Sequence, residues 1–415
     1  MESLFCFYEK NFVGTIRFDQ SLRLEFTYSE EWLSQEIGFP ISLSMPLRPE
    51  SYGHEIANPF FENLLPEETI RATIGRMYKI PENNIFQFFT HFGDELAGAL
   101  AIHTEPKAPK APPSSERREL KRTFIDQAIE NGQGLYAQVL SEHGMKFSLA
   151  GAQEKFPIIY EDDTFWIPVA GQPTSHIIKA DMAFKNSQTV LNEYLVMSLA
   201  KNVGLNTAQV QIIPGAYPLL LITRFDRRLH GAVRRIHQED FCQAQAIPSP
   251  LKYEDKGGPS FGKNYQLLKR ASRQPIPDLK QILKWLAFNL VVGNNDSHSK
   301  NLSFLWDQQR PILAPFYDLL STAVYGQRFD SRFAFKVGPT NQFDKLQPAA
   351  VELLEQGLGV RPHTFRKILA DMANSLSPQA DALSEDAKAL VPGATMGERL
   401  CQLIQKRTDR LEKII

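Results

Sequence analysis

Residues 3–8, 12–18 and 22–28 are short apolar or alternating runs separated by polar turns, a pattern that predicts a three-stranded meander. Residues 30–35 follow as a helix and residues 40–46 as an extended segment fenced by Pro40 and Pro46. A helical region opens at Phe60 and runs past Arg76. The pattern then changes to a stretch holding Pro106, Pro109, Pro112 and Pro113, which favours extended polyproline and marks a domain boundary. Residues 124–130 and 135–139 are short amphipathic pieces leading into the next domain. Beyond them, alternating apolar residues over 146–160 flank the small-residue centre Ala150-Gly151-Ala152, as two strands joined by a tight turn would. His176-Ile177-Ile178-Lys179 is an apolar strand ending in lysine. Leu191, Tyr194, Leu195, Ser198 and Leu199 mark one face of a helix that ends near Gly204. Residues 218–222 read as a buried strand, and Ile282, Leu283, Leu286, Ala287 and Leu290 as the apolar face of a buried helix. A strand at 302–306, a polar turn and Ile312-Leu313 come next. Residues 329–337 look strand-like, while 347–356, 364–375, 381–390 and 397–413 read as helices, so the second half is mainly α.

The buried helix leads into Val291-Val292-Gly293-Asn294-Asn295-Asp296-Ser297-His298-Ser299-Lys300-Asn301. A phosphoryl transferase needs a carboxylate to take the proton of the accepting hydroxyl, an amide oxygen to help hold magnesium, and a second carboxylate on the metal. Protein kinases space the first two as D-x-x-x-x-N, the spacing of Asp296 and Asn301. A polar turn after a helix would use the same residue types. The acid Asp318, placed after a short hairpin that can return it beside Asn301, tips the reading toward a catalytic loop. Lys179 stands where a protein kinase puts the lysine that contacts nucleotide phosphates, and Glu193 on the following helix is a possible ion-pair partner for it. An exposed strand end would also carry a lysine. Small residues at 150–152 let backbone amides approach phosphate oxygens. One glycine there, against three in the protein-kinase loop, makes an ordinary hairpin the better reading of that stretch alone. Thr223-Arg224-Phe225-Asp226 would form the hinge between lobes, and Gln238-Glu239-Asp240 reads as helix capping ahead of substrate contact. His54, His91 and His103 are isolated and read as structural.

With 415 residues the chain can build two or three cores. Its 46 basic and 47 acidic residues balance, which leaves no electrostatic footprint for strong direct binding to nucleic acid. Basic pairs such as Arg227-Arg228 and Arg234-Arg235 read first as solvated faces, with a phosphate or partner contact as the alternative. Cys6, Cys242 and Cys401 are too few and too far apart for a disulfide framework or a zinc cluster. No apolar run is long enough to span a bilayer, and Met1-Glu2-Ser3 lacks a basic leader, so a cytoplasmic location without membrane attachment is expected.

In this order, the motifs make the sequence resemble the HipA family of bacterial serine/threonine-protein kinases, the toxins of HipBA toxin-antitoxin modules. They are residues 148–155, His176 to Lys179, Asn192-Glu193-Tyr194, residues 224–228, Gln238-Glu239-Asp240, Lys252-Tyr253-Glu254, Gly257-Gly258-Pro259, Asp296-x-His298-x-Lys300-Asn301 and Pro315-Phe316-Tyr317-Asp318. Residues 1–105, with Leu43-Ser44-Met45-Pro46-Leu47 and Phe61-Glu62-Asn63-Leu64-Leu65-Pro66, resemble the family's amino-terminal domain. The resemblance implies ATP and Mg2+ as cofactors, Asp296 as proton acceptor, and Asn301 and Asp318 as magnesium ligands. It implies a phosphate loop of Ala150, Gly151, Ala152, Gln153, Glu154 and Lys155, with Lys179 on the phosphates. Thr223, Arg224 and Phe225 would lie on the adenine side, with His298, Ser299, Lys300 and Tyr317 as further nucleotide contacts. Ser148 matches the family's autophosphorylated serine. Relatives often have Asp-Gly-His and Glu-Arg-Phe where this chain has Asp296-Ser297-His298 and Thr223-Arg224-Phe225, so a glutamate side-chain contact at the hinge is lost.

The partners implied are a protein substrate, which in related toxins can be an aminoacyl-tRNA synthetase, and a HipB-like helix-turn-helix antitoxin through which alone DNA is met. The fold class expected is α+β: a two-lobed protein-kinase-like fold with a small amino-terminal α/β module and a mainly α-helical carboxy-terminal lobe. Its expected divisions are an amino-terminal module at 1–105, a linker at 106–120, a kinase amino-terminal lobe with the phosphate loop at 121–222 and a catalytic lobe at 223–415. Two other functions stay open on sequence grounds: a small-molecule or lipid kinase, because D-x-H-x-x-N also resembles the phosphoinositide-kinase loop, and a mainly non-catalytic co-repressor of a DNA-binding antitoxin.

Overall fold

The computed structural model describes residues 2–108, 117–132, 138–139, 155–169, 171–182, 184, 187–229, 233–306 and 309–415. The chain divides into two compact units. The first comprises Met1–Ala183, Leu221–Ser249 and Phe304–Gln309, and the second Phe184–Leu220, Pro250–Ser303 and Arg310–Ile415.

In the first unit the expected meander is present as antiparallel strands Glu2–Tyr8, Asn11–Phe18 and Leu24–Tyr28. A fourth strand, Leu100–His103, pairs on the free edge of the first. Three of its four residues are buried, so it lacks the alternation that would have announced it. The helical region expected from Phe60 is two helices, His54–Glu62 and Glu68–Tyr78, with Pro66 in the break between them. Pro66 lacks the N–H that would continue the ladder, although Pro59 is accommodated inside the first helix. The helix Ile85–Phe92 buries Phe88, Phe89 and Phe92. The strands Arg118–Glu119, Thr164–Ile167, Lys155–Glu161 and His176–Lys179 pair in that order as antiparallel neighbours.

A buried ionic cluster ties residues 94–98 to residues 224–235. Glu95 accepts from Arg224 at 2.9 Å, Arg227 at 2.7 Å and Arg235 at 2.5 Å. Asp226 binds Arg224 at 2.7 Å and Arg227 at 2.9 Å, and takes the Gly98 N–H at 2.8 Å. Burial alone would push the Glu95 carboxyl up, but the guanidiniums of Arg227, Arg235 and Arg224 together hold it well below the usual carboxylate range. The expected capping role of 238–240 falls to Asp240, whose carboxylate accepts from the Cys242 and Gln243 N–H groups. Glu239 turns inward instead, taking the Ser42 hydroxyl at 2.6 Å, the Leu43 N–H at 3.0 Å and the Trp306 indole at 3.2 Å. Burial pushes its carboxyl up to about 8, and these three donors only partly offset that.

The second unit is mainly helical. Its central helix, Pro275–Val292, packs against Phe261–Ala271, Thr364–Ala380 and Met396–Leu411. Trp285, Phe288 and Val291 of the central helix are fully buried. The helix Thr189–Asn202 ends just before Gly204, where the sequence pattern placed its end. No helix among the described residues is long and apolar enough to cross a membrane.

Removing one partner from a buried ion cluster leaves charges unpaired, so Glu95→Gln should destabilise the protein by about 3–5 kcal/mol in urea unfolding. Glu239 gives stability a pH dependence of definite sign. The unfolded chain ionises this group near its ordinary 4.5, whereas the folded site keeps the proton until about 8. Its stabilising contribution is therefore present below 4.5 and is lost as pH rises through 8. Glu239→Gln should flatten the stability profile between those limits. Parallel wild-type and variant profiles from denaturant unfolding would contradict this assignment.

Candidate active site

The central helix of the second unit stops at Gly293, which adopts the left-handed φ of 74°. A Cβ at Gly293 would lie 2.8 Å from the Ala323 Cβ and 3.1 Å from both Arg407 Cζ and Leu403 Cδ2, so neither the backbone nor the space admits a side chain. The N–H groups of Gly293 and Asn294 both bond the Asn289 carbonyl. Arg407 Nη1 donates to the Leu290 carbonyl at 2.7 Å, while its guanidinium lies 4.2 Å from the Phe343 ring centroid. Burial lowers the Arg407 pKa to about 10.

The following polar residues fold into a loop closed by its own side chains. Asn294 donates to Asn289 Oδ1 at 2.9 Å and accepts the Asp296 N–H at 3.2 Å. The Asn295 N–H meets Thr322 Oγ1 at 2.9 Å, and its amide donates to the Asp330 carbonyl at 3.0 Å. Asn301 Nδ2 donates to the Asp296 carbonyl at 2.9 Å, closing the five-residue span between the two positions singled out by spacing. A carbonyl can only accept, so this bond fixes which end of the Asn301 amide faces Asp296 and turns Oδ1 elsewhere. Ser297, His298, Ser299, Lys300 and Asn301 are all buried. The Asp296 side chain, by contrast, is 49% exposed. The Tyr253 hydroxyl donates to Asp296 Oδ1 at 2.5 Å, and His298 Nε2 stands 3.9 Å from the same oxygen.

The chain returns to this loop as the sequence led us to expect. The Ala314 N–H bonds the Ser303 carbonyl, and the Tyr317 hydroxyl donates to the Lys300 carbonyl at 2.6 Å. Asp318 itself adopts a left-handed φ of 54°, a conformation aspartate tolerates better than most residues. Just beyond it, Ser321 is gripped by Asn192, whose amide donates to the Ser321 carbonyl at 2.8 Å and accepts its N–H at 2.9 Å. Glu193, the next residue of that helix, is buried.

In the first unit, Lys179 ends its strand only 2% exposed, with Lys155 directly opposite on the neighbouring antiparallel strand. Arg224 is committed to the ionic cluster by its side chain, and its N–H bonds the Ser175 carbonyl. Thr223 and Phe225 are half-buried. Ser148 and Ala150, Gly151, Ala152, Gln153 and Glu154 lie outside the described residues. Tyr253 and Asn192 stand in the sequence only as members of motifs, and Arg407 carries no local signal of its role. The pair Gly257-Gly258 marked a tight turn beside Tyr253, but nothing local marks a residue that acts from a helix more than a hundred positions away. Among the described residues, no group of three or more His, Cys, Asp or Glu side chains is placed to hold a metal.

A family model of the HipA N-terminal domain matches residues 4–103, and one of the HipA-like C-terminal domain matches residues 147–380. Y4mE of Sinorhizobium fredii, a protein named a kinase by inference, is 35% identical over 386 residues, spanning 91% of this chain and 91% of its own. The serine/threonine-protein kinase toxin HipA of Shewanella oneidensis is 29% identical over 388 residues, covering 89% of this chain and 86% of that protein. A solved complex of HipA, HipB and operator DNA from Shewanella oneidensis MR-1 superposes with a TM-score of 0.84 at 25% identity, over 99% of each chain. That likeness carries the α+β, kinase-like class expected from the sequence. With more than half its length matched by the C-terminal model and nine-tenths shared with a relative above 30% identity, the chain belongs to the HipA family.

Proposed function

We propose that this chain is an ATP- and Mg2+-dependent protein serine/threonine kinase, the toxin of a HipBA-type module. The observation that carries the proposal is the closed Asp296 to Asn301 span, which leaves one half-exposed carboxylate in a row of buried polar residues. Asp296 accepts the proton of a serine or threonine hydroxyl as that oxygen takes the phosphoryl group from ATP and ADP leaves. The donors offered to magnesium are hard oxygens, as that ion requires: the Asn301 Oδ1, turned away from the Asp296 carbonyl, and the Asp318 carboxylate. When bound there, the ion would offset negative charge on the phosphates. On the family resemblance, Lys155, Lys179, residues 150–154, His298, Ser299, Lys300 and Tyr317 contact the nucleotide. The Arg224 side chain and N–H are engaged and its carbonyl already accepts the Arg227 N–H at 3.3 Å, so an adenine contact at this hinge falls mainly to Thr223 and Phe225. Ser148 is proposed as an autophosphorylation site on the same resemblance. A phosphate there would add about −1.5 to −2 charges next to the phosphate loop and disfavour ATP.

The partner proposed is a HipB-like antitoxin that supplies the DNA contact, since the superposed Shewanella structure holds HipA with HipB and operator DNA. Supporting this division of labour is a net charge of −1, which gives the chain no strong attraction to phosphates of its own.

Incubating the purified protein with γ-labelled ATP and a cell lysate should label polypeptides, whereas a small-molecule or lipid kinase would label none. Asp296→Asn and Asp318→Ala should each reduce that labelling about 100-fold or more while leaving circular dichroism unchanged. A well-folded Asp296→Asn protein with wild-type activity would remove the catalytic assignment. In a separate titration at physiological salt, the chain alone should show no tight binding to duplex DNA. Strong binding without a partner would refute the indirect mode.

A further inference from the structure

We propose that Tyr253 is a positioning residue for Asp296, holding one carboxylate oxygen so that the other is presented to the accepting hydroxyl. This rests on the reading of Asp296 as the proton acceptor. An aspartate on an exposed loop rotates freely about its last torsion, where the energy wells are broad. A base that must meet a hydroxyl within hydrogen-bond reach loses rate when it wanders. The Tyr253 hydroxyl removes that freedom with a 2.5 Å bond to Oδ1, the length of a hydrogen bond to an ionised group. Among the described residues no hydrogen bond is made to the other oxygen, on a side chain that is 49% exposed.

The segment around Tyr253 is built to hold this hydroxyl still. Gly257 has a left-handed φ of 93°, and a Cβ at Gly258 would fall 1.9 Å from the Leu251 carbonyl and 2.7 Å from that of Tyr253. Only a glycine pair permits so tight a turn. Glu254 accepts the Lys336 N–H at 2.8 Å and Asp255 pairs with Arg332 at 2.9 Å, fastening both flanks of the turn to the strand Arg332–Val337. The Tyr253 ring meets the His298 ring edge-on at 5.1 Å, and the Lys256 and Lys252 ammonium groups lie 4.9 and 5.6 Å from its centroid. Cations within about 6 Å of a ring centroid are attracted by its quadrupole, which helps hold the ring in place. Each restraint acts on the aromatic body or its backbone, while the hydroxyl reaches the carboxylate.

The test uses the full chain, with initial rates of label transfer from γ-labelled ATP to lysate protein at fixed lysate concentration. Tyr253→Phe keeps the ring and deletes the donor. Its apparent kcat should fall about 10- to 100-fold, while the KM for ATP stays within about twofold and the thermal unfolding midpoint is unchanged. Adding Tyr253→Phe to Asp296→Asn should slow the single variant no further, because both remove one device. Placing 4-aminophenylalanine at position 253, with an N–H donor in place of the hydroxyl, should recover rate relative to Phe. An unchanged or raised kcat in Tyr253→Phe would overturn the proposal, the raised value marking Tyr253 as an occupant of the acceptor's place. A loss of kcat with a lowered unfolding midpoint and no recovery by 4-aminophenylalanine would overturn it too. If Asp296→Asn abolishes transfer and Tyr253→Phe does not slow it, only the Tyr253 proposal falls. Should Asp296→Asn stay active, the reading of Asp296 falls and takes this one with it.

Discussion

An α-helix leaves its last carbonyls without partners, and in this protein the way one helix end is satisfied sets the geometry of the loop beyond it. The helix Pro275–Val292 could end in several ways, but Gly293 is wedged against Ala323 on one side and Leu403 and Arg407 on the other. The Ala323 N–H takes the Gly293 carbonyl, and Arg407 takes that of Leu290. A cation at a helix C-terminus is favoured by the dipole, which helps to offset the burial of the Arg407 charge. From that fixed end, Asn294 and Asn295 bond back to Asn289 and across to Thr322, so Asp296 leaves the helix in a single direction. The carboxy-terminal helix Met396–Leu411 lies beyond the residues matched by the HipA-like C-terminal model, yet its Arg407 reaches the base of the loop.

The first unit is organised by charge rather than by a helix end. Two carboxylates, Glu95 and Asp226, face three guanidiniums, those of Arg224, Arg227 and Arg235, and four of these five residues are fully buried. Such a cluster is a poor source of net stability, because desolvation consumes much of the Coulombic gain. Its effect is on specificity: any other pairing of residues 94–98 with residues 224–235 would strand a charge away from water. Glu239 adds a second link of this kind by reaching Ser42 and Leu43 from the same part of the chain. Residues 42–43, 94–98 and 224–240 are thereby parts of one core.

How much of this was legible depended on whether the cause was local. Strands such as His176–Lys179 and helices such as Thr189–Asn202 announce themselves through periodicity, and each stands within a few residues of its expected bounds. The D-x-x-x-x-N spacing located a loop whose two ends the structure joins through Asn301 and the Asp296 carbonyl. The strand Leu100–His103 escaped because burial on both faces erases alternation. Arg224 was noticed as a hinge residue, but its role in the ionic cluster depends on Glu95, more than a hundred positions earlier. Arg407 and Asn192 are polar residues whose partners are distant backbone groups, and no window of sequence contains both halves of such a bond.

These two kinds of constraint bear differently on the catalytic reading. Around residues 294–301 most polar side chains are buried, and Asn294, Asn295, Ser297 and Asn301 make bonds that hold the loop. A loop held only for stability gains nothing by leaving one carboxylate half in water, since turning it inward to a donor or replacing it with a neutral residue would serve as well. Asp296 departs from the pattern of its buried neighbours. A carboxylate kept in one direction needs neighbours that hold it there. The bonds from Tyr253, Tyr317, Asn192 and Thr322 provide that surrounding frame. The rigid frame and the exposed acid are thus one arrangement: the loop can leave a charged group facing solvent in a fixed direction because everything adjacent to it is held.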